Sequence, residues 1–254
     1  MSRVLSFDRW HVHLERRRDM FHYTSKRSPK LFLTAPLILF LAIQSQHLQA
    51  AEGGKSTISK AEIQTLLEQS PESEFPIKLA PPVMSRLNFL LAQAAQTEGV
   101  KQELSRMDRY RSLVLSELEK ADLPLELAAI PMVETGYKNH PPHRNGAGLW
   151  MLTKVTAEAY DLTITDQYDE RMNPEKATET AIRILKDYYD RFGDWLLALA
   201  AYNQGPTHVA KVIRQTDNSD GWQLMNQGHL NNYAAKVVAA AIIIEHQEAL
   251  FNEG

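Results

Sequence analysis

The chain has 254 residues, 44% hydrophobic and 23% charged, the balance of a globular protein with room for one substantial core. It contains no cysteine, which excludes disulfides, thiolate metal sites, a thiol nucleophile and a lipid-modified N-terminal cysteine. A formal net charge of −3 offers no basic field for a nucleic acid partner.

The first fifty residues differ from the rest. Arg16, Arg17 and Arg18, then Lys26, Arg27 and Lys30, precede an uncharged apolar run of 13 residues from Leu31 to Ile43, interrupted only by Thr34 and Pro36. A membrane span needs about 20 such residues, so the run suits the h-region of an export signal. Ala50 offers a small residue for cleavage, and Met20 an alternative start with a shorter basic region. The expectation is a signal peptide or N-terminal anchor over 1–50 and a periplasmic protein. Of the 28 basic and 31 acidic residues, eight and three lie in 1–50, so 20 and 28 remain and 51–254 carries a net charge of −8.

Residues 51–84 are polar and rich in Gly and Pro, and read as a linker with a short helix near Lys60 to Gln69. From Val83 onward the pattern is helical. Met84 to Gln96 and Leu104 to Ala121 are amphipathic, and a helix from Leu123 to Thr135 follows. Tyr137 to Ala147 reads as a loop from its Pro, Asn and Gly. A short helix spans Thr153 to Tyr160. Asn173-Pro174 starts a longer one, whose buried stripe is Ala177, Ala181, Leu185, Tyr188 and Phe192. Gly193 ends that helix and Asp194 caps the next. Trp195 to Tyr202 is apolar on every side and belongs at the domain centre. Helices from Val209 to Gln215 and from Tyr233 to Leu250 complete an all-α domain of about seven helices, with no convincing strand.

Chemistry sits where this pattern breaks. In LPLELAAIPMVETG, residues Leu127, Ile130, Pro131 and Glu134 share one helix face, so an apolar face ends in a carboxylate just before Gly136. Apolar neighbours and the helix C-terminus both disfavour the ionised form and raise the pKa toward a value useful to a general acid. The plainer reading is a surface glutamate in a fraying last turn. Gly148-Leu149-Trp150-Met151 follows a loop, and Trp150 suits either a sugar face or the core. Ala201-Tyr202-Asn203-Gln204-Gly205 ends a buried helix in groups that need partners.

Taken in order, Glu134-Thr135, Gly148 to Met151, the Ala201-Tyr202-Asn203 element and Tyr233 in NNYAAKVVAA resemble the lytic transglycosylases of the goose-lysozyme-like (SLT) superfamily, particularly the membrane-bound transglycosylase D type. The resemblance covers about residues 100–250. It implies a single lysozyme-like helical domain with a substrate groove over 85–254. It implies cleavage of the peptidoglycan bond between N-acetylmuramic acid and N-acetylglucosamine without metal or cofactor. Glu134 would act as acid and then base, giving a 1,6-anhydro end. Tyr202 would hydrogen-bond Glu134 or the substrate, Asn203 would contact the sugar, and Thr135, Gly148, Leu149, Trp150, Met151 and Tyr233 would line the groove. The partners implied are glycan strands and a cell-wall or secretion-machinery protein. Three departures stand out: Thr135 replaces the usual Ser, Met151 the usual Gln, and His229 and Leu230 the Glu and Thr that often precede the late tyrosine. Met151, His229 and Leu230 leave a non-catalytic or weakly active glycan-binding scaffold as the alternative, and a hydrolytic lysozyme of the same fold is a third reading.

Overall fold

The computed structural model describes residues 57–70, 73–143 and 145–251. The leader expected over 1–50 lies outside them. The first helix, α1 (Lys60–Leu67), starts with a capping box in which Ser59 and Glu62 satisfy each other's backbone N–H. It does not belong to a linker. Ile63, Leu66, Phe75, Leu79 and Val83 are buried in the main core, so the boundary expected at 85 falls too late. The polar composition of 51–84 hid an apolar residue every few positions.

Two expected helices are each divided. The first becomes α2 (Pro81–Leu91) and α3 (Ala94–Met107), and the second starts afresh as α4 (Arg111–Lys120) after a turn at Asp108 to Tyr110. The stretch Leu123 to Thr135 is likewise two pieces. A 3-10 helix spans Leu125–Ala129, with Pro124 preceding it rather than inside it, and α5 covers Ile130–Thr135. Pro131 explains the division: it has no N–H to donate to the Leu127 carbonyl, which takes a bond from Ile130 N–H instead.

The expected loop at Tyr137 to Ala147 contains a small antiparallel hairpin, β1 (His140–His143) and β2 (Gly146–Gly148), with His140 opposite Gly148. Pro141 and Pro142 remove donors from β1, which is why the segment carries no strand pattern. After it come α6 (Lys154–Ala159), a 3-10 turn at Glu170–Met172, and α7 (Pro174–Phe192), N-capped by Asn173 and closed by left-handed Gly193. Asp194 caps α8 (Trp195–Gln204), then α9 (Pro206–Thr216) and α10 (Gly221–Asn226) follow. The last long helix, α11 (Tyr233–Glu245), ends before a short α12 (Gln247–Phe251).

Two helices share the centre. Trp195 to Ala201 of α8 are all buried, as expected of a helix apolar all round. The same holds for α11, where Tyr233, Ala234, Ala235 and Val237 to Ile244 are buried. Helix α11 packs on α2, the first 3-10 helix, α5 and α8, while α8 also packs on α7 and α9. Burying each Leu, Ile or Val of these helices contributes roughly 1.5–3 kcal/mol. The described residues 57–69 and 73–251 therefore form one helical unit, and among them no helix is long and apolar enough to cross a membrane.

Candidate active site

Glu134 lies in the last turn of α5, half-buried, on a helix stabilised mainly by what surrounds it. Gly136 adopts the left-handed conformation, φ 57°, that ends the helix. The chain then turns back, so that Tyr137 N–H reaches the Pro131 carbonyl at 3.1 Å, and the buried Tyr137 hydroxyl donates to the Ala128 carbonyl. From α3, Arg106 Nε donates to the Gly136 carbonyl at 2.6 Å. The carboxylate is thus carried on a short element pinned at its C-terminal end.

Tyr233, at the first turn of α11, donates its hydroxyl to Glu134 Oε1 at 2.6 Å. The sequence assigned that bond to Tyr202 or gave Tyr202 to the substrate. Instead, the Tyr202 hydroxyl donates to the Trp150 carbonyl at 2.7 Å. Both tyrosines stand close enough to Glu134 for its charge to act on them. Burial first, and the Glu134 charge next, push both phenols well above their ordinary value, so each remains a proton donor.

The Gly148 to Met151 segment is a tight turn closed by paired backbone bonds between Ala147 and Leu152, each 3.0 Å. Its successive carbonyls are held by site residues: Thr135 Oγ1 donates to Leu149 O at 2.9 Å, and Tyr202 to Trp150 O. Arg171, almost fully buried, donates to Leu152 O at 3.0 Å and pairs with Asp169. Gly148, φ 78°, packs so tightly that an added Cβ would collide with the Arg171 carbonyl oxygen. Met151, φ 52°, completes the turn in a left-handed conformation unusual for its type.

These contacts correct several sequence assignments. Trp150 is fully buried and its Nε1 donates to Thr178 Oγ1 at 2.9 Å, so it packs in the core and presents no face to a sugar. Leu149 is also fully buried and Gly148 is buried, so neither side-chain position is open to a ligand. Thr135 holds the turn through its hydroxyl, which also donates to Pro131 O. Of the remaining candidates, Met151 is half-buried and Asn203 is exposed at the end of α8, where its Oδ1 accepts from Asn231 Nδ2 at 2.8 Å. Asn231 further accepts from Tyr233 N–H and donates its own N–H to Gln204 Oε1, tying the end of α8 to the start of α11. Of the two departures near Tyr233, His229 is exposed, whereas Leu230 is buried against Leu197 and Leu224 in a satellite core.

Burial raises the Glu134 pKa above the ordinary glutamate value, and the Tyr233 hydrogen bond and the Lys236 charge partly oppose it. The direction favours the protonated acid, while the two opposing contacts favour its release. Lys236 was missed from the sequence. The available cue was a lone lysine in the apolar run YAAKVVAAAIII, one helical turn beyond Tyr233. Among the described residues no group of three or more His, Asp or Glu side chains stands together to hold a metal ion.

A helical unit that sets a half-buried, tyrosine-bonded glutamate at the end of a short interior helix defines a class, the lysozyme-like all-α domains. Similarity narrows it. Residues 116–225 match the family described as Transglycosylase SLT domain. Membrane-bound lytic murein transglycosylase D of Escherichia coli (strain K12) is 30% identical over 149 residues, which are 56% of this chain and 33% of that protein. A putative tributyltin chloride resistance protein of Alteromonas sp. (strain M-1) is 30% identical over 152 residues, 58% of this chain and 73% of that one. Peptidoglycan transglycosylase gp16 of Escherichia phage T7 is 45% identical over 60 residues, 23% of this chain and 5% of that protein. The chain belongs to the transglycosylase SLT domain family, and its match spans 33% of the length of the E. coli murein transglycosylase. Tyr233 lies beyond the matched span 116–225.

Proposed function

We propose that the protein is a peptidoglycan lytic transglycosylase, with Glu134 as its one acid and base. The observation that carries this reading is the carboxyl group of Glu134, shielded from water and bonded by Tyr233 at 2.6 Å. Protonated Glu134 gives its proton to the glycosidic oxygen between N-acetylmuramic acid and N-acetylglucosamine, and the C1–O bond breaks as positive charge develops at C1. The substrate's own N-acetyl group shares that charge. The resulting Glu134 carboxylate then takes the proton of the muramic C6 hydroxyl, whose oxygen bonds to C1 and closes the 1,6-anhydro ring. The proton count balances, and the acid is regenerated.

Tyr233 steadies the carboxylate formed midway, since its hydroxyl is kept protonated. Tyr202 and Thr135 act at one remove, by holding the turn that carries Met151. Met151 and Asn203 meet the sugars. The name of the E. coli relative, a membrane-bound murein enzyme, supports an envelope location, reached through the apolar leader at Leu31 to Ile43.

The test is chemical. Purified residues 51–254 incubated with intact sacculi should release anhydro-muropeptides, and Glu134→Gln should lower that release by about 10²–10⁴-fold. Reducing muramic ends in place of anhydro ends would identify a hydrolase. Binding of muropeptides with no product from the wild type would identify the scaffold reading, which Met151 and the buried Leu230 favour because both lack the polar groups usual at those positions.

A further inference from the structure

Lys236 has no part in the mechanism above. It is the exposed exception on α11, whose residues from Tyr233 to Ile244 are otherwise buried. It lies three residues after Tyr233, hence on the same helical face one turn on, and Tyr233 bonds the Glu134 carboxylate directly. Its charge reaches Glu134. No carboxylate among the described residues forms a salt bridge with it, so its charge is not taken up within the protein as those of Lys120 and Lys176 are, a property it shares with Lys60, Lys78, Lys101, Lys138 and Lys211. This exposed ammonium lies one helical turn from the tyrosine that holds Glu134, on a segment, 51–254, whose net charge is −8.

An acidic protein that works on an anionic polymer repels its substrate at long range, and a local cation at the site offsets that repulsion. The glycan proposed as substrate carries carboxylates: the lactyl group of each stem-free muramic acid, and the peptide stems where present. Chitin oligosaccharides share the β-1,4 linkage and the acetamido groups but have no carboxylate.

We propose that Lys236 is the residue that selects for charge at this site, its ammonium receiving a carboxylate of the bound glycan and so favouring muramic-acid-containing strands over neutral N-acetylglucosamine oligomers. The inference rests on the peptidoglycan reading of the site. It concerns recognition rather than bond cleavage, and so is measured separately.

Binding is measured on Glu134→Gln protein, which removes turnover, with and without Lys236→Met. The probes are chitotetraose, a stem-free N-acetylglucosamine–N-acetylmuramic acid tetrasaccharide, and the same tetrasaccharide bearing peptide stems. Loss of one partly exposed charge contact should weaken binding of the carboxylate-bearing probes by about threefold to tenfold and leave chitotetraose unchanged. Loss with the stem-free probe assigns the lactyl carboxylate, and loss with the stemmed probe alone assigns the stem. Lys236→Arg should restore most of the affinity, and 0.5 M salt should erase the difference between Lys and Met. In the turnover assay, Lys236→Met should raise KM more than it lowers kcat, and should move the alkaline limb upward, because Glu134 then loses a charge that favours its anion. Equal weakening toward all three probes, or none, overturns the proposal. Absence of product from the wild type alongside selective binding would overturn the transglycosylase reading and leave the role of Lys236 standing.

Discussion

Helices α8 and α11 are two versions of one sequence pattern: an interior helix, apolar on every side, that brings a tyrosine to the site at one end. They do different jobs. Tyr202, at the C-terminal end of α8, spends its hydroxyl on the Trp150 carbonyl and so holds a turn. Tyr233, at the N-terminal end of α11, spends its hydroxyl on the Glu134 carboxylate and so holds the acid. The role of each phenol follows from which acceptor lies within 3 Å, a backbone carbonyl or a carboxylate, and neither helix encodes that on its own.

The comparison can be broken first from the α8 side. Gly148→Ala places a methyl group against the Arg171 carbonyl at a backbone φ of 78° and should cost about 3 kcal/mol. Thermal unfolding would show it as a lower Tm, and activity should fall with it as the Leu149 and Trp150 carbonyls leave Thr135 and Tyr202. An unchanged Tm would mean the turn is not held as tightly as its contacts imply. The α11 side should respond in chemistry rather than stability. Tyr233→Phe removes a hydrogen bond to a charged group, worth about 1.5–3 kcal/mol, so kcat should drop about 10- to 100-fold. With the bond that favours the anion gone, the Glu134 pKa rises further, and the alkaline limb of the pH–rate profile moves to higher pH.

Tyr202→Phe sharpens the contrast. It should lower stability by about 1 kcal/mol and raise KM, without moving the alkaline limb. If both Phe variants shift the profile alike, the division of labour between the two helices is wrong. The smallest effect concerns Glu134 alone. Because folding raises its pKa, the folded protein holds the proton more tightly than the unfolded chain. The group therefore costs nothing in acid, and its penalty grows as pH climbs from the ordinary glutamate range through the raised value. Glu134→Gln should accordingly raise Tm at neutral pH and lose that advantage in acid, as parallel melts at the two pH values would show.

Much of this was readable in order along the chain. The Asn173 and Asp194 caps, the stop at Gly193 and the burial of Trp195 to Ala201 follow from local rules, because capping and all-round apolarity act within one element. Glu134 was legible for the same reason, as a carboxylate ending an apolar face beside Gly136. The errors share a cause. Pro131 divided a helix because its missing N–H outweighed a continuous apolar pattern. Ile63, Phe75 and Leu79 did not read as core because each is an isolated apolar residue in a polar stretch, and its burial depends on partners distant in sequence. Trp150 was equally suited to a sugar or to the interior, and Thr178, 28 residues away, decided it. Lys236 went unnoticed because one cation in an apolar run means little until the neighbouring turn is seen to touch the acid.

By itself, then, the order of residues determined an all-α domain, the positions of its caps, and the glutamate at the end of an apolar face, since each depends on interactions within a few residues. The tertiary structure decided which tyrosine meets that glutamate, that Trp150 turns inward, and that Lys236 stands exposed one turn from the tyrosine bonded to the carboxylate. Those outcomes depend on hydrogen bonds and charges between segments up to 99 residues apart, and partners that distant are set by how the helices pack, which no local pattern specifies.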